Sequence, residues 1–249
     1  MELISITTSN QPPATTLKQL RYRKLVQQRK ACRACVSLSL TNPSVCRGLI
    51  YDTEQIGPWS RWQGNLNARL MVIGQDWGGS TYFDEHEGLD EGLDPAKNEK
   101  FNDTNKRLCD LLDSIGIHVE HRLQPAGEQK LFFTNSVLCL RPGNLTTGTA
   151  KSGWFRNCSG FLCQQVNIVN PKVVITLGHK AYRALLQAYR LKPKAKMQDA
   201  VEDVTALPNG SKLIPMYHPG YWGTRARSFE EQKQDWQRVK LALHNGRLQ

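Results

Sequence analysis

Short apolar segments alternate with longer amphipathic ones along most of this chain, and this alternation limits the folds available to it. Four segments are strand-sized and almost entirely apolar: 69–73, 131–137, 173–177 and 212–217. Helical spacing of apolar residues precedes, separates and follows them, at about 16–35, 108–115, 154–169, 181–189 and 228–243. Strands joined by helices are typical of βαβ units, and uninterrupted apolar strands are buried on both faces. We therefore predict an α/β fold with a four-stranded, mainly parallel central sheet and helices on both faces.

A single domain is expected, because no linker interrupts this pattern. The first 15 residues are polar and contain Pro12 and Pro13, so we predict a flexible tail at 1–15 and a folded domain at 16–249. No apolar run approaches the roughly 18 residues of a membrane span. The N-terminus also lacks the basic start and apolar core of a signal peptide. These features favour a cytoplasmic protein, and since nothing requires an oligomer, we expect a monomer.

The chain is strongly basic. Its 33 Lys and Arg exceed its 22 Asp and Glu, which gives a formal net charge of +11. Such a charge favours a polyanionic partner, most often nucleic acid, although it also serves solubility alone. Acidic residues collect between Asp84 and Asp94, a segment that would repel phosphate. The first predicted helix instead carries a basic outer face: Lys18, Arg21, Arg23, Lys24, Arg29, Lys30 and Arg33.

Seven cysteines without a secretion signal indicate reduced thiols rather than a disulfide framework. Cys32 and Cys35 form a CxxC pair, and Cys139 and Cys158 follow further along. A CxxC turn presents two thiolates together, which suits a tetrahedral metal or one corner of an iron–sulfur cluster. By itself the pair is equally consistent with a redox dithiol. The remaining thiols have no predicted chemistry: Cys109, expected in the core, Cys46 and Cys163.

Polar residues lie at or just beyond the carboxyl ends of the predicted strands. In open parallel sheets, ligands bind outside those ends. The residues placed there are Gln75 and Asp76 after the first strand, Asn135 near the end of the second, His179 after the third and His218 after the fourth. An acid, an amide and an imidazole are therefore predicted to converge on one crevice.

The first of these motifs is GQDWG, at 74–78. Its glycines allow the backbone to approach a ligand closely. Asp76 is placed to hold a water molecule or to stabilise a cation. The alternative is an Asx-type turn without chemistry.

Asn135 lies in an otherwise apolar strand, and a buried amide needs hydrogen-bond partners. An asparagine can read both a carbonyl and a ring N–H of a nucleobase. The alternative is a core asparagine that bonds to a neighbouring loop.

His218 begins an HPG turn and is predicted to donate a hydrogen bond to a developing oxyanion. Tyr221 and Trp222 follow on the same turn, and Arg225 and Arg227 come next. Exposed aromatics flanked by arginines suit a wedge that enters a base stack while cations hold phosphates. Alternatively, the two aromatics pack under the final helix.

The ordered set GQDWG, FFTNSVLCLRP, NPKVVITLG and MYHPG resembles the uracil-DNA glycosylase superfamily. With the CxxC pair, Cys139 and Cys158, the chain looks most like the iron–sulfur branch known as family 4. The resemblance extends from about Cys32 to Leu243. Each motif is short, so its specificity lies in the set and its order.

The resemblance implies roles for particular residues. Gly74, Gln75 and Asp76 match the water-activating first motif, although Gln-Asp is similar to family 1 and not to the Glu-Gly or Glu-Ala of family 4. Asn135 matches the residue that reads uracil, and His218 the histidine of a His-Pro-Ser motif. The departures are Trp77 for Pro, Gly78 where family 1 has the tyrosine that excludes thymine, and Gly220 for Ser. The aromatic that stacks on the base falls between 77 and 108: Phe101, our first choice, Phe83 or Tyr82.

The resemblance also implies a cofactor. Cys32, Cys35, Cys139 and Cys158 would hold a [4Fe–4S] cluster that ties the basic N-terminal helix to the sheet, in a structural and not a redox role. Zinc is the alternative occupant.

The implied activity is a monofunctional DNA glycosylase of base excision repair. It would flip uracil, or a related deaminated base, out of single- or double-stranded DNA and hydrolyse its N-glycosidic bond. Two other interpretations remain open: a catalytically weak member that binds uracil-containing or single-stranded DNA, and a redox protein that uses the CxxC as a dithiol.

Overall fold

A five-stranded sheet forms the centre of the molecule. The computed structural model describes residues 16–45, 56, 65–77, 79, 103–119, 131–142 and 150–244. Within them the strands are β1 (Leu70–Gly74), β2 (Leu131–Asn135), β3 (Val173–Leu177), β4 (Thr205–Ala206) and β5 (Lys212–Met216). Their order is β2-β1-β3-β5-β4, with β4 antiparallel at the edge and the other four parallel. The carboxyl ends of the four parallel strands therefore share one edge of the sheet.

Seven α-helices lie within the described residues. They are α1 (Leu17–Ala31), α2 (Asp103–Ser114), α3 (Ser152–Val169), α4 (His179–Ala188), α5 (Met197–Val201), α6 (Tyr221–Ala226) and α7 (Phe229–His244), and two 3-10 turns follow α1 at Val36–Leu38 and Pro43–Val45. Helix α7 begins with a capping box, since Ser228 Oγ accepts from the N–H of Glu231 at 3.3 Å and the Glu231 carboxylate accepts from the N–H of Ser228 at 2.8 Å. None of these helices has the length and apolar composition needed to cross a bilayer.

Alternate residues of β1 enter two hydrophobic cores. Met71 and Ile73 face the core beneath α1, α3 and α4, whereas Leu70 and Val72 face the core beneath α2 and α7. Burying an aliphatic side chain contributes about 1.5–3 kcal/mol relative to exposure, so strands apolar on both sides stabilise both layers. The prediction of a mainly parallel sheet with helices on both faces is confirmed.

The predicted number of strands was wrong by one. All four expected strands form, although β2 ends at Asn135 and not at residue 137. The additional strand, β4, has only two residues, which pair with Leu213 and Lys212. Two residues cannot display a hydrophobic period, so the sequence did not mark this strand. The expected tail at 1–15 and the acidic segment 84–94 lie outside the described residues.

Arg29 departs from the predicted basic outer face of α1. Tyr22, Leu25, Val26 and Arg29 are all buried, and their spacing of three or four residues places them on one side of the helix. The Arg29 side chain is only 1% exposed. Its position on the apolar stripe, and not its charge, decides which way it faces.

Candidate active site

Asp76 lies two residues beyond β1 in a loop that buries its carboxylate. Its side chain is 9% exposed. Gln75 Nε2 donates to Oδ1 at 3.1 Å, and Arg141 Nε lies 3.3 Å from Oδ2. Among the described residues these partners are side chains and not backbone N–H groups. The donor of an Asx turn would be the N–H of Gly78, which lies outside the described residues.

The environment of Asp76 combines burial with positive charge. Burial raises the pKa of its carboxyl above the usual value, whereas Arg141, the Gln75 hydrogen bond and Lys180 lower it. Sequence reasoning missed Arg141, although the segment that contains it was recognised. The available signal was an arginine at the end of an apolar run just after a strand, where burial requires a counter-charge.

Asn135 is the last residue of β2 and lies in register with Gly74 of β1. A Cβ atom added to Gly74 would come within 2.1 Å of Asn135 Oδ1. Glycine at position 74 thus leaves the space that the carboxamide occupies. The Asn135 side chain is 4% exposed and has no hydrogen-bond partner in the described part of the chain. The alternative interpretation of Asn135, a core asparagine that bonds to a neighbouring loop, therefore has no support among the described residues.

The ends of β1 and β2, where the Asn135 amide lies, are held together by hydrogen bonds. Ser136 donates to the Gly74 carbonyl oxygen from its backbone N at 2.9 Å and from Oγ at 3.0 Å. The backbone N of Val137 donates to the Gln75 carbonyl oxygen at 3.0 Å. The two segments that carry Asn135 and Asp76 are therefore held side by side.

His218 follows β5 and approaches the end of β3. Its Cβ lies 3.4 Å from where a Cβ on Gly178 would be. The N–H of Gly220 donates to His218 Nδ1 at 3.0 Å, so Nδ1 is an acceptor and the ring proton resides on Nε2. Burial lowers the pKa of this imidazole. At neutral pH the ring is an uncharged hydrogen-bond donor through Nε2.

The HPG loop closes so tightly that a side chain at position 220 would displace the His218 ring. A Cβ there would come within 2.8 Å of His218 Nδ1 and 3.2 Å of Thr104 Oγ1. A Cβ on Gly223 would come within 1.9 Å of the His218 carbonyl oxygen. Gly220, which stands where the family pattern has Ser, thus places the His218 ring.

Gly220→Ser is expected to lower turnover by about tenfold to a hundredfold, because a misplacement of about 1 Å in a catalytic group has effects of this size. Displacement of the His218 ring by the new Cβ is the physical cause. Single-turnover kinetics and circular dichroism check the rate and the fold. Gly160→Ser is the control, since a Cβ at Gly160 meets nothing within 4 Å. Unchanged turnover in Gly220→Ser would remove this role of the glycine.

Trp77 anchors the loop that carries Asp76. Its side chain is fully buried and its ring meets that of Phe133 edge to face, with centroids 5.9 Å apart. Phe133 in turn lies against Gly74, on the same side of β2 as Asn135. Trp77 therefore replaces the rigidity of a proline with packing. Gly78 and the predicted base-stacking candidates, Phe101, Phe83 and Tyr82, lie outside the described residues.

His179 takes a different role from His218. Its Nε2 lies 3.1 Å from the carbonyl oxygen of Lys194, and its ring stacks on Tyr182. The His179 imidazole is therefore occupied by contacts with Lys194 and Tyr182.

Tyr221 and Trp222 protrude from the molecule just beyond His218. They are 60% and 78% exposed, so the alternative in which they pack under the final helix is wrong. Both residues begin the short helix α6, whereas the sequence analysis predicts a turn there. Arg225 lies over the Tyr221 ring and donates to its hydroxyl at 3.0 Å. Two aromatic rings and a cation thus stand together on the surface.

Arg227 has an internal partner. Its Nε and Nη2 donate to the two oxygens of Asp235 at 2.6 and 2.8 Å. This bidentate pair ties the end of α6 to α7, so we do not assign Arg227 a contact with DNA.

The four cysteines singled out from the sequence come from three parts of the fold. Cys32 and Cys35 follow α1, Cys139 follows β2, and Cys158 lies in α3. The last three are buried. Burial raises the pKa of the Cys158 thiol to about 12, with a smaller contribution from Cys35 and Cys32. The pKa of Cys139 is also raised, first by burial and then by Cys158, Cys35 and Cys32. The four thiols therefore lie within electrostatic reach of one another.

The surroundings of these thiols include groups that favour the thiolate form. No three His, Cys, Asp or Glu side chains in the described ranges are placed to hold one metal ion. The Asn157 amide donates to Cys35 Sγ at 3.3 Å, and buried Arg29 lowers the pKa of Cys139. Both features stabilise thiolates.

The comparisons with known proteins all point to one superfamily. The profile of the Uracil DNA glycosylase superfamily matches residues 62–240. The chain is 25% identical over 199 residues to the type-4 uracil-DNA glycosylase of Thermotoga maritima, which covers 80% of this chain and 81% of that protein. It is 26% identical over 179 residues to the type-4 uracil-DNA glycosylase of Archaeoglobus fulgidus (71% and 77% covered) and over 192 residues to the type-5 uracil-DNA glycosylase of Pyrobaculum aerophilum (72% and 79%).

These matches confirm the resemblance that the motifs indicated. The superfamily match extends over well more than half of the chain, and it includes the segments that carry Asp76, Asn135 and His218. The protein belongs to the uracil DNA glycosylase superfamily.

Proposed function

We propose that the protein is a DNA repair glycosylase that hydrolyses the N-glycosidic bond of uracil, or of a related deaminated base, and leaves an abasic site. The amide of Asn135 carries this proposal, because it lies buried against Gly74 at the edge where Asp76 and His218 also lie, and no described residue bonds to it. A buried amide needs a complementary donor and acceptor. A nucleobase edge supplies both.

Base recognition would rest on Asn135 and His218. The target nucleotide is extruded from the stack at a cost of a few kcal/mol. The Asn135 Nδ2 group donates to a carbonyl of uracil and Oδ1 accepts from the ring N3–H. The neutral His218 donates from Nε2 to the second carbonyl, on which negative charge develops as the glycosidic bond breaks. The backbone N–H of Gly220 holds the ring in the required tautomer.

Asp76 would act on the sugar. As the bond between C1′ and N1 breaks, its electron pair leaves with uracil and the sugar acquires oxocarbenium character. The Asp76 carboxylate opposes that positive charge and holds the water molecule that then attacks C1′. The water loses one proton as the new C–O bond forms, and the departing uracil anion takes one up. Gln75 orients the carboxylate through its hydrogen bond to Oδ1.

The exposed rings of Tyr221 and Trp222 support a contact with DNA next to the site. Their ring centroids are 5.1 Å apart, and they lie directly after the loop of His218. Aromatic side chains that enter or cap a base stack stabilise an extruded base, and Arg225 adds a cation for phosphate.

Cys32, Cys35, Cys139 and Cys158 would hold a [4Fe–4S] cluster. When bound, it would join the end of α1 to the segment after β2 and to α3 through metal–thiolate bonds. Since the CxxC pair, Cys139 and Cys158 are far apart in sequence, such links constrain the unfolded chain and stabilise the fold. The proposed role is structural, and zinc is the alternative occupant.

Protein purified without oxygen is therefore expected to be brown, with iron and acid-labile sulfide in equal amounts. Cys139→Ser should lose the visible absorbance and melt at a lower temperature, because one of the four thiolate ligands is removed. Cys163→Ser is the control: Cys163 is half-buried on α3 and is not one of the four. A colourless, iron-free protein contradicts the cluster, and one equivalent of zinc would identify the alternative.

The activity itself is tested with an oligonucleotide that contains one uracil, incubated with the protein and then treated with alkali. Strand cleavage at the uracil marks the glycosylase. A gel shift without cleavage would contradict the proposal and identify a weak, binding member of the superfamily. Matched oligonucleotides with thymine or hypoxanthine at the same position define the preferred base.

A further inference from the structure

Arg141 is a buried cation at the site to which the reaction above gives no role. It follows β2, in a segment whose backbone is fixed from two sides. Leu140 exchanges hydrogen bonds with Thr41, both at 2.9 Å, and Arg141 itself forms a parallel bridge with Gly79. The segment therefore delivers the Arg141 side chain to a fixed place.

The contact of Arg141 with Asp76 is shielded from water. Its Nε lies 3.3 Å from Asp76 Oδ2, and both side chains are 9% exposed. Because Gln75 donates to Oδ1, each carboxylate oxygen has its own neighbour. Surface ion pairs contribute little, but removing one partner of a buried pair leaves an uncompensated charge. This ion pair therefore influences the ionisation of the Asp76 carboxyl group.

The charged groups near Asp76 come from several elements. Arg141 approaches from the segment after β2 and Lys180 from the first turn of α4, and both favour the charged carboxylate. His218 follows β5 at the same edge, and burial lowers its pKa, so it adds no charge at neutral pH. Burial of Asp76 acts in the opposite direction and raises its pKa. Arg141 is the largest favourable influence.

We propose that Arg141 is the positioning residue for Asp76: its guanidinium lies beside Oδ2 and supplies the counter-charge of the buried carboxylate. This inference rests on the proposed function, in which the Asp76 carboxylate opposes charge on the sugar. It assigns Arg141 to a pairing that a first motif with Ala or Gly at position 76 would not contain.

The test is the pH dependence of kcat/KM on a single-stranded uracil oligonucleotide. Arg141→Met should move the acidic limb upward by about one to three pH units, the usual effect of an adjacent opposite charge. Activity should then recover toward alkaline pH, where the carboxyl of Asp76 is again ionised. Arg141→Lys restores the charge and should return part of the shift. A purely structural arginine would lower activity by one factor at every pH, and that result, or an unchanged profile, overturns the inference.

Controls separate this inference from the proposed function. Arg183→Met changes an exposed arginine on α4 and should keep the wild-type profile. Full activity in Asp76→Asn contradicts the proposed role of Asp76. An inactive Asp76→Asn together with an unshifted pH profile in Arg141→Met overturns only the inference.

If Arg141→Met unfolds, thermal melting tests the pairing instead. The double variant Asp76→Asn/Arg141→Met should be more stable than Arg141→Met, because neither charge of the buried pair remains. Equal or lower stability of the double variant overturns the pairing.

Discussion

Asp76→Asn is expected to slow uracil release by about two to three orders of magnitude, the usual effect of losing one preorganised electrostatic group. The amide keeps the size of the carboxylate but removes the charge that opposes the oxocarbenium-like sugar. The measurement is the single-turnover rate on a uracil oligonucleotide, with circular dichroism to verify the fold. Some stability should be lost, because the substitution leaves the buried Arg141 guanidinium without its counter-charge.

Asp110→Asn is the matched control for this variant. Asp110 is an exposed aspartate on α2, so the same chemical change there should leave the rate unaltered. An Asp76→Asn enzyme that releases uracil at the wild-type rate would show that another group stabilises the sugar. The proposed chemistry would then fail at its first step.

His218→Ala is expected to have a comparable effect, about two to three orders of magnitude, because it removes the donor to the uracil carbonyl. The variant should still fold, since the loop backbone is held by the bond from the N–H of Thr224 to the Gly220 carbonyl oxygen at 3.0 Å. Rates on the same oligonucleotide measure the effect. His244→Ala, an exposed histidine at the end of α7, serves as the control.

The pH dependence of the wild type distinguishes a neutral His218 from a charged one. Burial lowers its pKa below the ordinary value of 6.5, so the ring is already neutral as pH rises through that value. Activity should therefore not decline between about pH 6.5 and 8 on account of this residue. A decline centred near pH 6.5 that disappears in His218→Ala would indicate that the cationic form is the active one.

The positions of Asn135 and His218 could be predicted from the sequence because one rule of topology determines them. Both lie where an apolar run ends, and parallel strands bring those ends to the same edge of the sheet. The runs themselves are readable because the strands are buried on both faces by helices, which leaves little polar alternation. Register alone then places Asn135 beside Gly74.

Arg141 and Arg29 could not be predicted in the same way. The partner of Arg141 follows the neighbouring strand β1, and no local spacing connects residues 76 and 141. Arg29 belongs to a helix whose other basic residues are mostly exposed, and its burial depends on the apolar stripe it shares with Tyr22 and Leu25. Long-range pairing of charges is a property of the folded chain.

The shortest elements could not be predicted from the sequence for another reason. β4 has two residues and α6 has six, too few for a period to appear against the background. The consequence for the site was the assignment of Tyr221 and Trp222 to a turn. The start of α6 also brings Gly223 close to the His218 carbonyl oxygen, a contact that a glycine in a sequence does not reveal.

A crystal structure of the protein with uracil bound tests the central claim most directly. The account predicts one uracil at the carboxyl edge of the sheet, with the Asn135 amide and His218 Nε2 both within hydrogen-bond distance of the same ring and Asp76 on the side of N1. A uracil that contacts only one of these three side chains, or that binds at another surface, would contradict it.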